Sequence, residues 1–567
     1  MSLTSLGNGG WTLAEAKASR QKKRQWGQFM TPESLACRAV GLLALTPTSQ
    51  VLEPSFGDGA FLFALINRFL VLHEGTPQER LDKTMTRNIF GIEIDEELYT
   101  RALRRIEDRY GALPRSHNLR CDDFFSYAES GSQLDLSSAG HTPEAFPLSF
   151  DLIVGNPPYG GTFDRHLEDE LDRRYGLWDG HKLKKETYSF FIARSLDLLK
   201  PNGQLLFIAS DTFLTIKTME GLRRRLMDQC SVSIETLRTF SGETVQPTLI
   251  LLANKTGRSR LVIVEGDACD RATIETTGNF SWRVDATSSH YFASKERVGD
   301  YLIATGGMTI GKNELFVREI EGGEIVETHG FDFFDDPITL ARELERARLN
   351  KLSPKMQRDI SAVETSGGTR RNVRVTPLDR PQTLAIPHTD YRFYNKSSSD
   401  IIYSEPKWVV YWRDDGDAVL TFKKNGNWYL HGVGGRGYFG RSGLTWQLVA
   451  ARLNMRFLPA GYILDSGAPC AFLRDGVPEE ELWFLLGWCI TNEATRILKT
   501  VINHTRNIQG KDVEKLPYPS WVDPVLKCEA IDLVERLVEE ARSGRSVSRS
   551  DPELGKLEAM YRHPTSN

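Results

Sequence analysis

Phe150-Asp151-Leu152-Ile153-Val154-Gly155-Asn156-Pro157-Pro158-Tyr159 is the stretch on which the fold of this chain turns. Leu152-Ile153-Val154 is a short, β-rich apolar run bounded by Gly and Pro, which predicts a buried strand. Pro157 has no N–H and fixes its own φ, and Pro158 holds Pro157 extended, so the turn after the strand is rigid. In an open α/β sheet such a turn sits at the carboxyl end of a strand, where ligands bind. Asn156, Pro157 and Tyr159 place a side-chain amide, a stiff carbonyl and an aromatic ring side by side. An exocyclic amine on a flat base needs that set: two acceptors for its N–H groups and a ring to stack on. A plain proline turn would use the same backbone but neither the amide nor the ring.

Upstream, Val51 to Leu62 reads as a strand ending at Glu53, a loop with Ser55, Gly57 and Gly59, and a helix from near Ala60. The glycines let a ligand approach the backbone closely. A dinucleotide fingerprint would place a third Gly where Leu62 stands. Glu53 disfavours a pyrophosphate and suits a ligand carrying an ammonium group. The next strand, Asn88 to Asp95, brings Glu93 to its end, where a carboxylate can accept two ribose hydroxyls; Asp95 is the weaker candidate. Leu119 to Phe125 reads as a third strand and loop, in which Asp123 suits the amino group of adenine and Phe124 its face. Before all of these, Gln28-Phe29-Met30-Thr31-Pro32-Glu33 leads into an apolar-periodic stretch from Leu35 to Leu45. Thr31 reads as its N-cap, Pro32 as the first helical position and Glu33 as a first-turn acid.

Downstream of Tyr159, residues 160–187 are polar and read as a loop with a short helix, a candidate lid. Tyr188 to Leu199 predicts an amphipathic helix and Gln204 to Ser210 a strand. Ile234 to Phe240 and Thr248 to Leu252 predict a closing pair of strands. The alternation from 51 to 252 argues a mostly parallel sheet covered on both faces.

At 567 residues the chain is long enough for two or three domains. Its net charge of −4 gives no global basic signature, so any nucleic-acid surface has to be local. The seven cysteines form no C-x-x-C pair, which argues against a zinc site and a disulfide framework. No metal site is expected. There is no apolar leader and no apolar stretch long enough to span a bilayer. The expected location is the cytoplasm, with no membrane partner.

Together these motifs resemble the adenine-N6 DNA methyltransferases of the gamma order, the TaqI-like restriction–modification methylases. The resemblance covers residues 20–255 and keeps that family's order of motifs. It implies an α/β fold: a Rossmann-like S-adenosylmethionine-dependent methyltransferase domain with a C-terminal α+β target-recognition domain. It implies S-adenosyl-L-methionine as cofactor, bound through Thr31, Glu53, Ser55, Gly57, Gly59, Glu93, Asp123 and Phe124. It implies Asn156, Pro157, Tyr159 and Phe240 as catalytic residues, Phe240 being the loosest match. Phe56 stands where the family commonly has Cys. Double-stranded DNA is the implied substrate, and a separately encoded restriction endonuclease is a candidate partner. Two alternatives stay open. Asn-Pro-Pro-Tyr also serves enzymes that methylate RNA or protein amides, and the same fold can act as a non-catalytic DNA-binding module of a defence system.

The expected domains are 1–257, the methyltransferase domain with an N-terminal helical segment; 258–520, the recognition domain; and 521–567, a helical tail. Residues 258–266 read as the first strand of the second domain. Gly306 to Phe316, Phe422 to Tyr429 and Gly434 to Arg441 put basic and aromatic residues on glycine loops, as do Arg358, Arg370, Arg371, Arg374 and Arg380 in a turn-rich stretch. Such loops suit phosphate and base contacts; exposed hairpins of a β-rich domain are the bland alternative. Asn503 to Pro517 resembles the closing segment of recognition domains. Glu405-Pro406-Lys407 is a lone acid-x-Lys without an upstream acidic partner, so a fused nuclease is not expected.

Overall fold

The computed structural model describes residues 30–111, 113–114, 116–126, 147–160, 163–237, 248–284, 286–335, 371–416, 418–419, 423–424, 427–428 and 433–564. The chain forms two compact units, Met1–Asp285 and Ala286–Asn567.

In the first unit the strands of the main sheet are β1 (Val51–Glu53), β2 (Ile89–Glu93), β3 (Asn118–Cys121), β4 (Phe150–Gly155), β5 (Leu199–Ser210), β6 (Ser231–Leu237), β7 (Thr248–Asn254), β8 (Leu261–Val264) and β9 (Asp267–Asp270). They make one nine-stranded sheet in the order β9-β8-β6-β7-β5-β4-β1-β2-β3. β1 is parallel to both neighbours, with Val51 opposite Ile89 on one side and Leu152 on the other. The chain winds outward from β1 in one direction through β2 and β3, then in the other through β4 and β5. The switch point therefore lies between β1 and β4, and β7 is antiparallel to β5 and β6.

The longer helices of this unit are α1 (Glu33–Val40), α2 (Ala60–Leu72), α3 (Glu96–Tyr110), α4 (Arg165–Tyr175), α5 (Thr187–Leu198) and α6 (Glu220–Gln229). α2 is apolar on nearly every face and lies in the main core beside Val51, Ile89 and Val154. α3 is amphipathic, and Asp95 is its cap, its side chain accepting from the backbone N–H of Glu97 and Leu98. Asp95 is thereby committed to the helix, as a capping acid should be.

The first unit does not end at 257. β8 pairs in parallel with β6, and β9 closes a hairpin on β8. Without them β6 would present an open edge. The next segment is held down by Arg223, fully buried, whose guanidinium donates to the carbonyls of Phe213, Ile216, Asn279 and Phe280. The stretch read as the first strand of the second domain is thus an edge of the first sheet.

The second unit is α+β. Its longer strands are β10 (Leu302–Thr305), β11 (Val317–Glu319), β12 (Glu324–Asp335), β13 (Arg371–Ala385), β14 (Tyr391–Asn395), β15 (Trp408–Tyr411), β16 (Gly443–Thr445), β17 (Arg456–Leu458), β18 (Tyr462–Leu464) and β19 (Cys470–Leu473). They form two four-stranded sheets, β10-β19-β16-β17 and β11-β15-β14-β18, and a long two-stranded ribbon, β12-β13. Helices α7 (Glu480–Ile490), α8 (Pro524–Arg542) and α9 (Pro552–Met560) follow. The last two are not a separate tail. Trp521 Nε1 donates to Tyr561 O at 2.9 Å, and the Tyr561 hydroxyl donates to Phe484 O inside α7 at 2.5 Å. No helix among the described residues is long and apolar enough to cross a membrane, and no group of His, Cys, Asp and Glu among them could hold a metal ion.

Candidate functional site

Four parallel strands end side by side in the order β4, β1, β2, β3. Their carboxyl ends carry the Asn156 turn, Glu53, Glu93 and the Asp123 loop in that sequence. Three strand spacings make this row about 14 Å long, the reach of an extended nucleoside with an amino-acid arm. The backbones are tied across the row. Phe56 N donates to Ile92 O at 3.2 Å, and Asp122 N to Glu93 O at 3.0 Å.

The loop after β1 turns through two left-handed glycines, Gly57 at φ 58° and Gly59 at φ 96°, a region other residues rarely adopt. Gly57 N donates to Glu93 Oε2 at 2.8 Å, and Asp95 N donates to Glu93 Oε1 at 2.9 Å. Each carboxylate oxygen thus spends one lone pair on the backbone and keeps another for a diol. Burial pushes the Glu93 pKa up, and those backbone bonds oppose it. Glu53 is 1% exposed, and its carboxyl is pushed well above the ordinary range by burial, then by the charges of Glu93 and Asp58. Glu53 Oε2 and Ser55 Oγ are buried without a hydrogen-bond partner among the described residues. An acidic site with unspent acceptors fits a ligand that carries positive charge and hydroxyls, as S-adenosylmethionine does with its ammonium, sulfonium and ribose.

Phe56 fits because Gly91 on β2 has no side chain. A Cβ there would lie 2.9 Å from Phe56 Cδ1 and 2.7 Å from Leu119 Cδ2. The ring, 3% exposed, also meets Tyr99 at 6.0 Å between centroids. A second device behind the loop is Arg105 of α3. It pairs with Asp58 at 2.9 Å and Glu33 at 2.7 Å, donates to Asp58 O at 2.7 Å, and lies 4.6 Å over the Phe63 ring. Arg109, one turn on, takes the other oxygen of Glu33 at 2.8 Å. These arginines clamp the glycine loop to α1. Their four-residue spacing is visible in sequence, but the partner 72 positions away is not.

At the turn itself, Asn156 Nδ2 donates to Thr31 Oγ1 at 3.0 Å. Thr31 is therefore not a helix cap. α1 is capped by Pro32 with no side-chain bond, because the Thr31 hydroxyl faces Asn156 instead. Pro157 is buried. The Tyr159 hydroxyl donates to Ile208 O on β5 at 2.8 Å, and burial raises its pKa well above the usual phenol value. The ring is half-buried and meets Tyr188 at 5.8 Å and 48°.

At the far end of the row, Asp123 accepts from Phe125 N at 2.9 Å, and burial raises its pKa. Phe124 is 2% exposed, stacked on Phe191 at 4.9 Å with the Arg194 guanidinium 5.4 Å from its ring. Its ring thus belongs to an aromatic cluster under the loop, while Asp123 is half-buried at the loop itself. Phe240 lies outside the described residues, as do Gln28, Phe29, Arg358, Arg370 and Asn425-Gly426.

In the second unit two glycine stretches meet. A Cβ on Gly435 would lie 2.5 Å from Gly306 O, so the 306–316 and 434–441 loops touch at backbone level. Arg436 pairs with Asp415 at 3.3 Å, and the Arg441 guanidinium lies 5.3 Å from the Tyr438 ring. Arg371, Arg374 and Arg380 lie on β13, a strand and not a turn. Asn507 to Gly510 is built into the body of the unit: Trp446 Nε1 donates to Ile508 O at 3.0 Å, and Ile508 N to Leu448 O at 2.7 Å.

Residues 87–245 match the Eco57I restriction-modification methylase family. They contain β2 to β6 and the Asn156 turn. The type II methyltransferase M.BstVI of Geobacillus stearothermophilus is 28% identical over 221 residues, 36% of this chain and 37% of that protein. The adenine-specific methyltransferase BrxX of Escherichia coli is 20% identical over 382 residues, 65% of this chain and 28% of that protein. The chain thus spans little more than a third of M.BstVI and less of BrxX. A solved structure of the type IIL restriction-modification enzyme MmeI in complex with DNA aligns over 97% of this chain and 72% of its own, with a TM-score of 0.50 and 11% identity. The first unit has the α/β methyltransferase fold of restriction–modification methylases.

Proposed function

We propose that the chain is a site-specific DNA adenine-N6 methyltransferase of a restriction–modification or related defence system, using S-adenosyl-L-methionine. The observation that carries this reading is the Asn156 amide, whose amino end is committed to Thr31. With the amino end on Thr31, Oδ1 is the acceptor that the amide would offer to a base. Asn156 Oδ1 and the Pro157 carbonyl would accept the two N–H groups of an adenine amine. The amine then loses conjugation with its ring, and its lone pair becomes available. S-adenosylmethionine, when bound, supplies an electrophilic methyl. Glu53 would hold its ammonium, Glu93 its ribose diol and Asp123 its adenine amine, with Ser55, Gly57 and Gly59 lining the approach and Phe124 supporting the adenine end. Thr31 positions Asn156, and Phe240 is proposed as a second aromatic for the target base.

An adenine inside a duplex cannot reach this row of strand ends, so the base has to be extruded at a cost of a few kcal/mol. Stacking on Tyr159 would return about 1–3 kcal/mol. Double-stranded DNA is the proposed substrate, with the second unit reading sequence and a separately encoded endonuclease as partner. Phosphate contacts should make DNA affinity fall steeply with salt.

The test is sequencing for modified adenine in DNA from cells expressing the chain, beside the same cells expressing Asn156→Ala. Methylation at a defined sequence with wild type and none with Asn156→Ala is expected. Labelled cofactor offered with DNA, RNA and protein distinguishes the substrates; label transferred to RNA or protein but not DNA would overturn the reading.

A further inference from the structure

Where β14 ends and β17 begins, the second unit encloses a polar cavity of about 110 Å³. Its floor is Arg456, 2% exposed. The guanidinium is held on several sides. Nη1 donates to Ser398 O at 3.2 Å, and Nη2 to Lys396 O at 3.0 Å and Asn395 Oδ1 at 3.2 Å. Asn395 is itself fixed, its Nδ2 donating to Thr445 Oγ1 at 2.8 Å. Every one of the acceptors around Arg456 is neutral. Asp400, the acid that acts on it from farther off, is already taken by the hydroxyls of Ser398 and Ser404, each at 2.7 Å. Burial pulls the guanidinium pKa down. No carboxylate hydrogen-bonds the guanidinium, and the charge of Asp400 offsets its burial only in part, so an anion beside it would relieve the remaining cost.

The mouth of the cavity adds two more cations. Lys396 Nζ stands 4.2 Å over the Trp408 ring, and Lys407, exposed, lies 3.9 Å from Asp400. Among the described lining residues the single acid is Glu405, which is exposed. Three cations therefore line a cavity whose lining carries one exposed acid, Glu405, with Asp400 beside Lys407 outside the lining. Its volume equals that of about three to four waters of liquid, room for one tetrahedral oxyanion.

We propose that this cavity binds a phosphate group, with Arg456 at its floor and Lys396 and Lys407 at its mouth. The N–H groups that Arg456 does not spend on Ser398, Lys396 and Asn395, and the point charges of the two ammonium groups, would pair with phosphate oxygens through short charge-assisted bonds. The cavity is built wholly from residues of the second unit, and the proposal does not rest on the reading of the methyl-transfer site. The phosphate comes either from a nucleic-acid backbone or from free phosphate or a phosphorylated small molecule.

The full chain is titrated with inorganic phosphate at fixed ionic strength, followed by phosphorus NMR line width and by calorimetry. One saturable site of millimolar affinity is expected, with none for chloride. Lys396→Met combined with Lys407→Met should weaken it about fivefold, the effect of losing exposed charge pairs, while leaving the melting temperature unchanged. Arg456→Lys, which keeps the charge and loses the fork, should remove saturation. No saturable binding by the unaltered chain, or the same affinity in the double lysine variant, overturns the proposal. A short duplex added to the phosphate-loaded chain tells the sources apart. Displaced phosphate assigns the site to a nucleic-acid backbone, and retained phosphate assigns it to a free or small-molecule phosphate.

Discussion

Asn156 and Thr31 are joined by a 3.0 Å hydrogen bond between positions 125 residues apart. The turn after β4 fixes the backbone of Asn156, but its side chain is oriented by a hydroxyl from outside the sheet. Backbone rigidity and amide orientation thus have separate origins.

Thr31→Val keeps the shape of residue 31 and removes the acceptor. The loss of one hydrogen bond, about 1 kcal/mol, should slow methylation about fivefold and leave cofactor affinity nearly intact. Thr31→Ser should behave as wild type. Single-turnover rates measured beside calorimetric cofactor binding check this; equal loss in both would show that Thr31 serves the cofactor instead.

Tyr159→Phe is a sharper test than Tyr159→Ala. Stacking needs only the ring, so a fluorescent adenine analogue should still be extruded by the Phe variant. The hydroxyl, however, donates to Ile208 O at 2.8 Å. Its removal should cost about 1 kcal/mol of stability, seen as a lower denaturation midpoint with an unchanged slope. An unchanged midpoint would mean the bond contributes nothing.

Glu53 sets stability against binding. Its folded-state pKa is raised by burial and by the charges of Glu93 and Asp58. The folded protein therefore holds that proton more tightly than the unfolded chain. The stability this gives is full below the ordinary carboxylate value and is lost as pH rises through the raised one. Glu53→Gln removes the loss. The ligand-free variant should melt about 2–4 °C higher at neutral pH, the effect of ~1 kcal/mol in a domain of this size, with little gain at pH 4. It should also lose cofactor binding. Melting curves of both proteins across this range decide it.

Gly91→Ala should destabilise the first unit by about 1–3 kcal/mol, because the added methyl meets a packed ring and a packed leucine. Phe56→Cys in the same chain should restore part of that loss. A double-mutant cycle by chemical denaturation measures it; simple additivity would show that Phe56 and Gly91 are not coupled.

The strand-end acids and the Asn156 turn were legible in sequence because each depends on a local pattern, a short apolar run followed by a particular residue. What could not be read there depends on distant pairing. Thr31 looked like a cap since Thr-Pro-Glu is good cap chemistry, and only the fold brings Asn156 to it. β8 looked like the start of a new domain because composition changes near 257, yet hydrogen bonding continues the sheet to β9. Phe124 followed its motif, but its burial against Phe191 is set by α5. The floor of the phosphate cavity is one arginine in an apolar strand, with no local sign that its partners would be neutral.

β1 has a neighbour, β4, that the ribosome makes much later. Gln50 N donates to Asp151 Oδ2 at 2.9 Å, across 101 positions. During synthesis, β1 can pair with β2 early, but its other edge has to wait. In that interval the nascent chain carries an open strand and the apolar α2, whose core still lacks Leu152, Val154, Leu206, Ile208 and Ile250. Glu53 and Glu93 have been synthesised by then, while the Asn156 turn has not. The half-made molecule is thus sticky before it is functional, and its yield in a cell should depend on how quickly residues 150–155 follow.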